Sequence, residues 1–150
     1  MKNIFIACPI SKYINGHSFS NEELRSFIDS LYNMCLSYSP NIFLALKREE
    51  YGKKLMPDTC TRLDYAEMKN TDLVIAIPED STGTAVELGW ASAFKKQIIV
   101  LLKRGERYTP LITRLSDITE VRVVYYDNLL SPEIMENIEM LIATYLRETE

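Results

Sequence analysis

The stretch Ser81-Thr82-Gly83-Thr84-Ala85-Val86-Glu87-Leu88-Gly89-Trp90-Ala91 is where chemistry is easiest to place in this chain. Small residues and hydroxyls stand at a predicted helix start, and a carboxylate follows within about its first turn. Free backbone N–H groups at such a start can hold an anion, and the helix dipole favours the ionised form of Glu87. A carboxylate kept ionised is a usable nucleophile or base. Spacing alone favours a plainer role, in which Glu87 complements the dipole while Gly83 and Gly89 admit close helix–sheet packing. A second carboxylate is needed to tilt the balance. Asp64, on the preceding helix, and Asp72, at the start of a strand, are the candidates, and the residues alone do not choose between them.

Other chemistries have less to work with. Cys8, Cys35 and Cys60 are widely separated, odd in number and form no CxxC, so neither a disulfide framework nor a zinc site is expected, and no metal ligand set is assigned. His17 is the single histidine and no G-x-S-x-G elbow is present. The net charge of −4 gives no basic excess for a phosphate polymer, so DNA and RNA are disfavoured as partners, although one or two local cations suffice for a small anion. Neither a signal peptide nor a transmembrane-length apolar run is present, which predicts a cytoplasmic protein without membrane contact.

The elements that must position these residues can be read from patterning. With 150 residues, 47% of them hydrophobic, a single domain over 1–150 is expected. Apolar runs at 3–8, 41–45, 72–77, 97–102 and 121–125 read as strands. Ser20 and Glu23 suggest a capping box for a helix whose buried face carries Leu24, Phe27, Ile28 and Leu31. Further helices are predicted at 60–69, at 84–95 and after Ser131, with a short one near 111–115 in the long loop 103–120. The polar stretches 9–19 and 47–59 read as loops. Strands alternating with helices predict an α/β three-layer sandwich, a five-stranded, mainly parallel sheet covered on both faces. Ligands in such folds bind beyond the carboxyl ends of the strands, so the loops after Cys8, Ala45, Ile77 and Leu102 are the places to search.

The run Asp64, Met68, Thr71-Asp72-Leu73-Val74-Ile75-Ala76, Gly83-Thr84-Ala85-Val86-Glu87-Leu88-Gly89-Trp90-Ala91 and Lys96-Gln97-Ile98-Ile99-Val100 resembles the nucleoside 2-deoxyribosyltransferase family. Ile4-Phe5-Ile6-Ala7-Cys8-Pro9 is similar to that family's first strand and loop. The likeness covers residues 1–103 and fades beyond. It implies a Rossmann-like (flavodoxin-like) fold, a homodimer or higher oligomer with shared active sites, no metal or other cofactor, and chemistry at the anomeric carbon of a nucleotide or nucleoside. It implies that Glu87 is the nucleophile that attacks C1′, and that Asp64 positions substrate and assists proton transfer to the leaving base. Asp72, at the opposite end of its strand, is then structural.

Two departures from the resemblance point to a branch. Relatives acting on free deoxynucleosides carry an acidic residue six positions before the nucleophile; here Ser81 stands there, as in nucleoside 5′-monophosphate N-glycosidases, and a hydroxyl donates to a phosphate that a carboxylate would repel. Phe5 replaces a tyrosine of the deoxyribose-acting members, which leaves room for a ribose 2′-hydroxyl. The substrate-binding set expected from these likenesses and from the loops is Phe5, Cys8, Pro9, Ser11, Lys12, Ser81, Gly83 and Thr109, the last lying where related hydrolases contribute phosphate contacts from the neighbouring subunit. Tyr13 and His17 sit in a candidate lid. The resulting expectation is hydrolysis of a nucleoside 5′-monophosphate, ribonucleotide favoured and CMP-like. The alternatives are base exchange by a deoxyribosyltransferase and a non-catalytic nucleotide-binding module; a flavodoxin-like redox role is disfavoured, because the loop after the first strand lacks a Ser/Thr/Gly run.

Overall fold

A computed structural model describes residues 2–148. Five strands, β1 (Asn3–Ala7), β4 (Asn41–Leu44), β5 (Leu73–Ala76), β6 (Gln97–Lys103) and β7 (Val121–Tyr126), form one sheet in the order β4-β1-β5-β6-β7, and every neighbouring pair is parallel. In chain order that is 2-1-3-4-5, the flavodoxin-like arrangement, whose order reverses between β1 and β5. The crevice beyond the carboxyl ends of those two strands is therefore where this topology opens a site.

Continuous burial of the central strands explains their apolar composition. Leu73 to Ala76 are all buried, because helices cover both faces. One core layer joins Ile4, Ile6, Ile75 and Leu101 to Phe27, Ile28 and Leu31 of α1 (Glu22–Leu36) and to Ile134, Ile138 and Ile142 of α6 (Pro132–Glu148). The other joins Phe5, Ala7, Val74 and Val100 to Met68 of α3 (Cys60–Lys69) and to Leu88 and Ala91 of α4 (Thr82–Ala93). Adjacent residues of one strand thus serve opposite cores, as the two-residue period requires. Each large aliphatic or aromatic side chain so buried contributes about 1.5–3 kcal/mol.

Several boundaries differ from expectation, each for a local reason. The helix start near residue 20 is capped by Asn21, whose Oδ1 accepts from Leu24 N (3.0 Å), so the Ser20/Glu23 capping box does not form. Ser20 Oγ instead donates to Tyr13 O (3.0 Å) and ties down the preceding segment. That segment, read as loop, contains a small antiparallel hairpin, β2 (Ile14–Asn15) with β3 (Ser18–Phe19), turning through Gly16 at φ +66. A helix turn, α2 (Ala45–Arg48), begins where the second sheet strand was expected to end. The hairpin meets the turn that follows α2 at Gly52, held at φ +102, a backbone conformation that requires glycine; a Cβ there would also press on the tip of the Ile14 side chain at 2.9 Å. The short helix expected near 111–115 is α5 (Pro110–Thr113).

The cap assignment is testable by denaturant unfolding. Asn21→Ala should lower stability by about 1 kcal/mol, the usual worth of an N-cap, whereas Glu23→Ala should change it by less than about 0.5 kcal/mol, as for a surface position.

Candidate active site

α4 starts at its N-cap, Ser81, whose Oγ accepts from Thr84 N (3.2 Å) and donates to Thr84 Oγ1 (2.9 Å). Counting from that cap puts Glu87 in the second turn, not the first, and the first turn holds no acidic residue. The dipole acts mainly within the terminal turn, so it is not what governs Glu87. Burial governs it: desolvation, reinforced by the negative charge of Asp64 and opposed by Arg48, pushes the Glu87 carboxyl up to about 8. The expectation that Glu87 rests ionised is thereby corrected. Burial favours its protonated form.

Asp64 reaches the same place from α3. The two helices are locked together by aromatic contacts, Tyr65 standing edge-on to Trp90 (5.4 Å) and tilted against Phe94 (5.4 Å). Asp64 Oδ1 accepts from Arg48 Nη1 at 2.6 Å. Its carboxyl also lies above the ordinary aspartate range, raised by burial while the guanidinium pulls it down. Arg48 ends α2 and spans two acids, with Nη2 3.5 Å from Glu49 Oε2. Glu49 is itself fastened, accepting from Met56 N at 3.0 Å. The guanidinium lies over the ring of Phe43 (5.4 Å), and Phe43 packs on Phe5 (4.7 Å). Arg48 is the residue missed in the sequence. Its one available signal was position, a cation just past the carboxyl end of a strand flanking β1.

The remaining expected residues fall into distinct places. Phe5 is wholly buried and acts as the floor beneath Phe43. Cys8 is buried at the end of β1, within electrostatic reach of Glu87; burial first, and that carboxylate second, keep its thiol protonated. Pro9 lines a polar cavity of about 180 Å³ toward α1, together with Tyr13, Glu79, Lys103 and Tyr126. Ser11 is exposed. Lys12 is not a free cation, because its Nζ pairs with Asp80 Oδ2 at 2.5 Å and links the loops after β1 and β5. Gly83 is exposed, and a Cβ at Gly83 or Gly89 would meet nothing within 4 Å, so packing within this chain demands neither glycine. Thr109 caps α5, accepting from Leu111 N at 3.3 Å. Asp72 Oδ2 accepts from Asn3 N (2.8 Å) at the amino end of β5, a structural role far from the carboxyl-end crevice.

Two carboxyl groups in electrostatic contact beside one guanidinium thus stand on helices flanking the switch point of a flavodoxin-like sheet. The chain belongs to the nucleoside 2-deoxyribosyltransferase family, whose model matches residues 13–141. The match continues well past residue 103, where the likeness read from sequence had faded. Its enzymes act on the N-glycosidic bond of nucleosides and nucleotides, and this chain is one of them. It is similar to the solved structure of a CMP N-glycosidase, BcmB, from Clostridium botulinum, with 30% identity, a TM-score of 0.71, and coverage of 93% of this chain and 99% of that one. No curated protein matches the chain. Among the described residues, no helix is long and apolar enough to cross a membrane.

The raised Glu87 gives a stability signature. Its folded value of about 8 lies above the ordinary 4.5, so the folded state holds this proton more tightly than the unfolded chain. That stabilisation is fully present below pH 4.5 and lost as pH rises through about 8. Glu87→Gln, which cannot ionise, should therefore melt progressively higher than wild type from pH 5 to pH 8.5, by scanning calorimetry. A constant difference would place Glu87 in an ordinary solvated environment.

Proposed function

We propose that the protein hydrolyses the N-glycosidic bond of a nucleoside 5′-monophosphate, releasing the free base and the sugar 5-phosphate. The observation that carries this reading is the Glu87–Asp64 pair, crowded at the switch point of a family member similar to a CMP N-glycosidase. An oxocarbenium-like transition state wants an anion beneath C1′, and a departing base wants a proton. The pair meets both needs with the one proton that Glu87 holds at rest. When substrate fills the site, that proton passes by way of Asp64 toward the base, and the Glu87 carboxylate bonds to C1′ as the C1′–N pair leaves with the base. Water then cleaves the glycosyl ester, regenerating Glu87 and giving the sugar phosphate with retained configuration.

A phosphorylated substrate is supported by the start of α4. The first turn offers the backbone N–H groups of Thr82 and Gly83 and the Thr82 hydroxyl, and holds no acidic residue. Space at Gly83 lets a ligand approach the backbone. Ribose and a cytosine-like base are favoured, in line with the similar glycosidase. A shared site in a homo-oligomer is also part of this reading, supported by the exposure of Leu111 (83%) beside Thr109, and of Val123 and Tyr125 on edge strand β7. Base exchange by transfer to a second nucleobase is the reading to set against it, since the same ester would serve.

A chromatographic panel of ribo- and deoxyribonucleoside 5′-monophosphates and unphosphorylated nucleosides, with and without a second base, tests the proposal. Base release confined to monophosphates is expected, with no detectable activity in Glu87→Ala and a fall of about 10²–10⁴ in Asp64→Asn. Exchange on unphosphorylated deoxynucleosides would instead identify a transferase. The pH profile carries a second expectation. The productive free form holds one proton on the pair, so kcat/KM should fall as pH rises past about 8, when that proton is lost; a plateau continuing to pH 9.5 would show that the proton is not used.

A further inference from the structure

Glu49, 7% exposed, is the one Asp, Glu, Lys or Arg among the described residues that the fold buries. A buried charge is costly unless it is paired and hydrogen-bonded, and the chain bends back on itself around this one. Gly52 N and Lys54 N both donate to the Glu49 carbonyl oxygen (3.1 and 3.0 Å), and Met56 N donates to its Oε1 (3.0 Å). The bend runs through two consecutive non-glycine residues in left-handed backbone, Glu50 at φ +50 and Tyr51 at φ +57, before Gly52. Such residues persist where their surroundings over-determine them, and they gather at functional sites. Here Arg25 of α1 lies over the Tyr51 ring at 3.9 Å, Phe19 meets its edge at 6.4 Å, and the Tyr51 hydroxyl donates to Asp29. A staple for this bend would need only the oxygen that Met56 N uses, and a neutral glutamine would serve. The other oxygen, Oε2, faces Arg48 Nη2 at 3.5 Å, and Arg48 is the same cation that Asp64 holds at 2.6 Å.

We infer that Glu49 is a positioning residue for the reaction: its buried carboxylate shares the Arg48 guanidinium with Asp64, which leaves Asp64 able to take the proton of Glu87 and hand it to the departing base. The inference rests on the glycosidase reading above. The charged groups that bear on Asp64 are Arg48, Glu49 and Glu87. With Arg48 alone, Asp64 would be one half of a plain ion pair and a poor acceptor for a proton. Glu49 opposes that cation, and its charge acts with burial to lift the Asp64 carboxyl above the ordinary aspartate range. The proton is conserved along the path. Glu87 gives it to Asp64 and becomes the anion that bonds to C1′, and Asp64 gives it to the base nitrogen as the C1′–N pair leaves. Asp64 ends as the carboxylate it began as, and Glu87 ends as the ester.

The test compares Glu49→Gln with wild type on two leaving groups carried by the same ribose 5-phosphate. The variant keeps the size of the side chain and an oxygen for Met56 N but drops the charge. Cytosine, from CMP at about pH 7, needs a proton to depart, and its kcat should fall at least about tenfold as the relay weakens. 4-Nitrophenoxide departs without one. At about pH 9, above the Glu87 value of about 8, the nucleophile is already ionised and Asp64 has no proton to carry, so kcat on the nitrophenyl substrate should stay within about threefold of wild type. The ratio of the two activities reads only folded enzyme, so partial misfolding leaves it intact. Loss of the Glu49 charge also lowers the Asp64 carboxyl, so the acid limb of kcat/KM on CMP should move to lower pH in the variant. Equal losses on both substrates with an unmoved acid limb would overturn the assignment and leave Glu49 as a staple for the bend, and so would a kcat on CMP equal to that of wild type. Silence of the wild type on both substrates would overturn the glycosidase reading, and this inference with it.

Discussion

Two carboxyl groups and one guanidinium, drawn from three different helices into a partly buried crevice, set the terms for the rest of this site. Asp64 comes from α3, Glu87 from α4 and Arg48 from α2. Water is too scarce there to solvate two anions, and a single close cation is committed to Asp64 at 2.6 Å. The carboxyl without the cation keeps a proton. That division leaves one proton beside one anion, the combination that the proposed displacement would draw on. The cost falls on folding stability above the carboxylate range, an example of a site that carries strain the scaffold must offset.

The scaffold offsets it through packing on the same face of the sheet. Phe5, Met68, Val74, Leu88 and Val100 form the core layer directly behind α3 and α4, and Tyr65 locks one helix to the other through Trp90 and Phe94. Phe5 and Phe43 carry the guanidinium from beneath. A small error in any of these layers would shift the two carboxyls relative to each other, and helices hold them more precisely than the exposed loops around them could. Those loops are tied by lighter means, such as Lys12 with Asp80 across the switch point and Ser20 with the carbonyl of Tyr13.

Most of the architecture was legible in sequence because both periods were clean. Apolar runs flanked by polar turns located all five sheet strands to within a residue or two, and alternation with helices dictated a parallel sheet. Glu87 and Asp64 were singled out by likeness to the family, spacing alone having favoured a plainer role for Glu87. Their protonation was not legible, since it depends on burial and on a cation sixteen residues upstream of Asp64 in the chain. Arg48 lay in a polar stretch, Lys47-Arg48-Glu49-Glu50, that looks in sequence like a solvated charge run. Only the fold shows that it turns inward. The hairpin at residues 14–19 was hidden because two-residue strands carry no period, and the Asn21 cap because Ser20 and Glu23 imitate a capping box one position earlier.

The central claim is that Glu87 bonds to the sugar. Wild-type enzyme mixed with a nucleoside 5′-monophosphate, quenched in acid within the first turnovers and examined by intact and peptide mass spectrometry, reads that bond directly. The account requires an adduct with the mass of the sugar 5-phosphate, located at Glu87 and lost on longer incubation as water resolves the ester. Free base released with inverted sugar configuration and no adduct at any time would contradict it, because water would then be attacking C1′ without a covalent intermediate.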